Sequence, residues 1–263
     1  MHNEREGRCE SCSKEKTDRI PIRRVVEKLD AAFSRNDLAE AGRLLAFWEK
    51  EARALADFHG LLEILSEEIG YFRRTEDRAR GLAAVSEAFA LIEDLGLSDS
   101  VSGATIYVNG ATTMKAFGRA AEAMPYYMRA KKVLEENLPS DSYLLAALFN
   151  NMASAYDELD VFEKAEECYR AAIRILAKSV DNDGEIAVSY VNLAHLYYDR
   201  DKTDPRIASL LETAWSYLMS ERLPHDGNYA FICSKCAPSF GFFGYFARET
   251  ALRRAAEEIY AGT

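Results

Sequence analysis

Aspartates recurring every 42 or 43 residues constrain this 263-residue chain more than any other feature. Asp57, Asp99, Asp141, Asp183 and Asp226 stand 42, 42, 42 and 43 apart, several in turn-forming company such as Pro139-Ser140-Asp141-Ser142 and Pro224-His225-Asp226-Gly227. An aspartate ahead of an apolar-periodic run caps a helix, because its carboxylate accepts from the unpaired N–H groups of the first turn. One helix is therefore expected to begin just after each of these residues. Self-similarity at this period marks stacked supersecondary units.

A second register runs inside each period. Ala88, Ala130, Ala172, Ala214 and Ala255 fall 42, 42, 42 and 41 apart, preceded at three residues by Val85, Tyr127, Tyr169, Leu211 and Leu252. Four residues earlier come Gly81, Ala123 and Ala165, then Ile207 and Arg248, where the pattern loosens. Residues so spaced share one helical face, the small ones admitting a neighbouring helix and the large ones filling the gap. The first helix of each period carries its own series: Tyr107, Ala111 and Met114 align with Phe149, Ala153 and Tyr156, then with Tyr190, Ala194 and Tyr197. Leu65, Ile69 and Phe72 form a weaker copy, and Ala41, Leu45 and Trp48 fit the second helix of a degenerate first unit. Each period thus reads as a helical hairpin. Pro125 is expected near the first turn of its helix, and Pro238 is expected to kink or end the first helix of the last unit.

The run Phe149-x2-Met152-Ala153-x2-Tyr156, followed by Ala165-x3-Tyr169-x2-Ala172, resembles the tetratricopeptide repeat. The period is longer than that repeat's usual length and is similar to the longer-helix variant of kinesin light chains. The resemblance covers about residues 20 to 262, strongly from Asp57 to Leu223. It implies an all-α, right-handed solenoid or superhelix of about six helical hairpins over 20–263, behind a charged tail at 1–19. It also implies a protein- or peptide-binding scaffold.

Composition narrows the function further. The chain carries 33 basic and 43 acidic side chains, a net charge of −10, and so lacks the basic footprint that nucleic acid requires. No uncharged apolar run approaches the roughly 20 residues of a membrane span. Met1 to Arg19 is charged and has no apolar core of a secretion signal, so the expected compartment is the cytoplasm. No nucleophile elbow, phosphate-binding loop or zinc-protease motif occurs, and neither catalysis nor a cofactor is expected.

Two C-x-x-C pairs, Cys9/Cys12 and Cys233/Cys236, have a spacing that zinc and redox sites use. In an array whose units touch only neighbours, several repeat spacings would separate the pairs unless the tail folds back or two chains meet. The second pair is read as core thiols rather than metal ligands, and Cys168 as packing. The aromatic segment Phe240, Phe242, Phe243, Tyr245 and Phe246 is read as closing the last repeat, with a homodimer contact as the alternative.

Asn109, Asn151 and Asn192 share one slot of the first helices, 42 and 41 apart. In tetratricopeptide arrays this slot lies on the concave face, where an amide both donates to and accepts from an extended peptide backbone. Asn150 and His195 belong to the same inner surface, and Arg73, Lys115, Asp157 and Asp199 make it basic toward one end and acidic toward the other. The family's clamp for a terminal carboxylate does not fit, because Val108, Asn150 and Val191 stand where it needs lysine. The expected function is recognition of an extended protein or peptide segment in the groove. A sensor domain resembling bacterial peptide-pheromone regulators, without their DNA-binding head, is the runner-up, and a metal-binding protein built on the cysteine pairs is third.

Overall fold

A computed structural model describes residues 19–262. Among them are twelve α-helices: α1 (Ile22–Ser34), α2 (Leu38–Ala54), α3 (Phe58–Arg74), α4 (Arg78–Asp94), α5 (Val101–Ala116), α6 (Ala120–Asn137), α7 (Tyr143–Glu158), α8 (Phe162–Leu176), α9 (Asp183–Arg200), α10 (Arg206–Leu218), α11 (Gly227–Phe242) and α12 (Phe246–Gly262). They pair in sequence as six hairpins, stacked into a helical repeat solenoid. The tail through residue 18, with Cys9 and Cys12, lies outside the described residues.

The periodic residues do what their spacing predicts. Ala123, Tyr127 and Ala130 in α6 are fully buried, as are Ala165 and Ala172 in α8, so each second helix turns its small-large-small face into its hairpin. Tyr107 and Tyr197 are buried from the first helices. Helices approach closely at Gly110, where a Cβ would stand 2.5 Å from the Phe89 ring. Seven of the turns share one device. Asn36, Ala56, Glu76, Gly96, Gly118, Asp160 and Gly244 adopt positive φ. The following N–H reaches back to the preceding helix, as in Asp57 to Ala52 at 2.9 Å and Asp77 to Phe72 at 2.9 Å, so the left-handed residue closes each helix and aims the next.

The caps require small corrections. Asp57 and Asp226 are N-caps as expected, Asp57 accepting from Gly60 N–H at 3.0 Å. The caps of α5 and α7 fall one residue later, at Ser100 and Ser142. Asp183 is the first residue of α9, 2% exposed, and pairs with Arg222 at 2.8 Å. Pro125 lies inside α6, beyond its first turn, and α11 continues past Pro238 to Phe242 rather than ending there. A proline removes one backbone donor locally, and packing on both sides holds these helices through the gap.

The ends of the array also depart from expectation. The first and last hairpins meet: a Cβ at Gly227 would lie 3.2 Å from the Ser34 carbonyl oxygen. The Arg74 guanidinium sits 5.9 Å from the Phe33 ring and 5.8 Å from the Phe231 ring, and donates to Asn36 Oδ1 at 2.6 Å. Six hairpins therefore bend far enough to close around their inner surface, and the rule that units touch only neighbours fails at this seam.

Candidate functional site

First helices line the inner surface. Residues of α3, α5, α7 and α11, joined by Asn36, Glu76, Leu134 of α6 and Tyr260 of α12, line an open cavity of about 1140 Å³. Arg73, Asn109 and Asn151 line it, together with two residues the sequence reading passed over, Arg74 and Lys235. The expected asparagine ladder is unevenly spent. Asn109 Nδ2 donates to the Ser66 carbonyl at 2.8 Å, and its Oδ1 accepts from Arg73 at 3.1 Å. Arg73 Nη1 also reaches Thr113 Oγ1 at 2.8 Å, so this pair braces α3 against α5. Asn151 donates back to Ala147 of its own helix at 2.9 Å, and its amide oxygen has no partner among the described residues. Asn192 is half-buried and makes no side-chain hydrogen bond among the described residues.

Asn150 and His195 serve the joints between hairpins. Asn150 Oδ1 accepts from Ser189 Oγ at 3.0 Å. His195 Nε2 lies 2.9 Å from Ser239 Oγ, against the Phe242 and Phe243 rings, and burial pushes its imidazole below the ordinary value. Among the described residues no carboxylate hydrogen-bonds to this imidazole, so the pair has no orienting acid. Phe240 closes into the core, while Phe242 and Phe246 remain 57% and 68% exposed.

The charged residues at the ends of the first helices fall into two groups. Lys115 donates to Ser154 Oγ at 3.0 Å. Burial pushes its ammonium down, with Glu158 opposing and the positive fields of Lys235 and Arg73 adding to the fall. Lys235 is open to solvent yet walled by the cavity, and the same enclosure pushes it down, helped by Arg73. Farther along, Asp157, Asp160, Asp199 and Glu163 line a cleft of about 310 Å³ with Arg200. Burial, then Asp199 and Asp160, push Asp157 up to about 6.

The second cysteine pair is core. Cys233 and Cys236 are 0% and 1% exposed, and burial pushes the Cys236 thiol up to about 12, which keeps it protonated and unreactive. Between them Lys235 sits on the opposite side of α11 and reaches the cavity. Nothing in the periodic signature identifies it, because its place depends on the closure of the array. No group of three or more potential metal ligands gathers among the described residues.

Residues 146–175 match the tetratricopeptide repeat family, a span that covers most of α7 and most of α8. Among solved structures, BtubC (BKLC) from P. vanneervenii is similar at 22% identity, with 93% of this chain and 92% of that one covered and a TM-score of 0.51. Nearly identical TPR-like repeats described as a kinesin light chain from Podosopora anserina are similar at 18% identity, over 74% of this chain and 94% of that one, with a TM-score of 0.58. A variant of the same repeats gives a TM-score of 0.60 at 18% identity, over 74% and 93% of the two chains. No curated protein matches the sequence. The chain therefore contains a tetratricopeptide repeat and has a TPR-like fold, an architecture that generally mediates protein–protein interaction.

Proposed function

We propose that this repeat array is a non-enzymatic scaffold that holds an extended protein or peptide segment along its inner face. The observation that carries the reading is the cavity of about 1140 Å³, lined on one side by first helices and on the other by the returning α11. Its lining mixes amides with apolar and aromatic surface, such as Val108, Tyr143 and Leu144, which suits a backbone with alternating side chains. Asn151, in the cavity wall, keeps hydrogen-bonding capacity for a guest, as does Asn192 outside that wall in α9; Asn109 shapes the wall by fixing Arg73. Net charge of −10 favours a protein guest over nucleic acid. Buried free thiols at Cys168, Cys233 and Cys236 fit work in a reducing cytoplasm.

Affinity capture with mass spectrometry tests the reading, comparing the wild type with an Asn151→Ala/Asn192→Ala variant. Neither side chain bridges hairpins, so the fold survives the change. Partners lost selectively from the variant support the inner face. An identical partner set from both baits moves binding to another surface.

A further inference from the structure

Arg73 at the end of α3 and Lys235 in α11 line the cavity from opposite sides, and Lys115 at the end of α5 stands outside its lining yet near enough to feel the charge of both. Arg73 spends only Nη1 on the protein, leaving Nε and Nη2 free, and Lys115 spends one hydrogen bond on Ser154. Lys235 makes no hydrogen bond among the described residues. None of the three has a carboxylate within ion-pair distance among those residues, although acids outnumber bases in the chain and exposed arginines elsewhere find partners, as Arg53 does with Glu49 and Glu87. Glu76 lines the same cavity, while Glu158 and Asp157 act on Lys115, and Glu185 on Lys235, only from a distance. Like charges held near one another in a partly screened cleft repel, and an anion entering between them removes that cost.

We propose that Arg73, Lys115 and Lys235 form a subsite for a phosphoryl group carried by the segment bound in the cavity. The inference rests on the inner face being the binding surface. A single carboxylate brings one charge and two oxygens, which leaves part of the cationic set unmatched. A phosphate ester brings close to two charges and three terminal oxygens, one for each donor group, with the free edge of the Arg73 guanidinium shaped for it.

The test uses the full chain immobilised and three degenerate peptide libraries that differ only at their central residue: phosphoserine, serine or aspartate. Retention of the phosphoserine library about tenfold above the other two is the expected result, equal to about 1.4 kcal/mol of added affinity. Lys235→Met removes most of that preference without lowering the melting temperature, because the Lys235 ammonium braces no other element, and Lys235→Arg restores it. Equal retention of the serine or aspartate library overturns the phosphoryl subsite. If that retention still depends on Asn151, the inner face stands as the binding surface. A phosphoserine preference untouched by Lys235→Met overturns the subsite as well, and retention of none of the libraries overturns both readings.

Discussion

The two reaches of the inner face are built at equivalent positions of the repeat, yet they are assembled differently. Arg73, Lys115, Asp157 and Asp199 occupy the last turns of successive first helices, and the sign changes midway. At the acidic reach the charged groups come from adjacent hairpins, α7 and α8 with the turn between them and α9, so neighbour stacking alone brings them together. At the basic reach Lys235 arrives from the last hairpin to face residues of the second and third, and only closure of the array brings it there. Repeat order thus fixes one charge cluster, and superhelical curvature completes the other.

Covalent closure of the seam probes this difference with the largest expected effect. A Cβ at Gly227 would stand 3.3 Å from Ser34 Cβ, a few tenths of an ångström short of the roughly 3.5–4.5 Å of a disulfide, so a small shift of the seam would admit one. Oxidised Ser34→Cys/Gly227→Cys protein should form an intramolecular crosslink, seen as faster migration on a non-reducing gel, and gain roughly 2–4 kcal/mol of stability. An array open in solution gives no such band.

Arg73→Ala comes next. It strips the hydrogen bonds to Asn109 and Thr113 and should cost roughly 2–3 kcal/mol in a denaturant titration, whereas Lys235→Ala should cost nothing measurable. Equal losses would mean that Lys235 is a structural cation. Asn109→Ala should cost about 1–2 kcal/mol and Asn151→Ala under about 0.5 kcal/mol, because only the first amide ties two helices together.

At the acidic reach the smallest effect is one of pH. Asp157 is held near 6 in the fold against an ordinary value of 3.8, so the folded state favours its protonated form. The associated stability is fully present below pH 3.8 and is lost as pH rises through about 6. Asp157→Asn should therefore melt like the wild type near pH 4 and gain about 1 kcal/mol at pH 8, after allowance for its partial exposure. A gain at low pH instead would reverse the assigned sign.

Much of this architecture is legible in the sequence because it is local and repeated. The spacing of Ala165, Tyr169 and Ala172 states which face is buried, and Asp57 and Asp226 state where helices start. Asp99 and Asp141 mislead by one residue, since a neighbouring serine takes the cap position. The seam is illegible for a different reason: Ser34, Arg74, Gly227 and Phe231 share no periodic relation, and their meeting depends on small rotations summed over the stack. Lys235 is hidden by its surroundings in sequence, where Cys233 and Cys236 direct attention to the core side of the helix.

The central claim is that a guest segment lies along the inner face, and a calorimetric titration tests it most directly once a partner is captured. The account predicts that Asn151→Ala weakens binding by about 1–2 kcal/mol, roughly five- to thirtyfold, with the melting temperature nearly unchanged. Lys115→Glu should alter the salt dependence of the same titration. Wild-type affinity and salt slope in Asn151→Ala, Asn192→Ala and Lys115→Glu alike, with each variant folded, would contradict it.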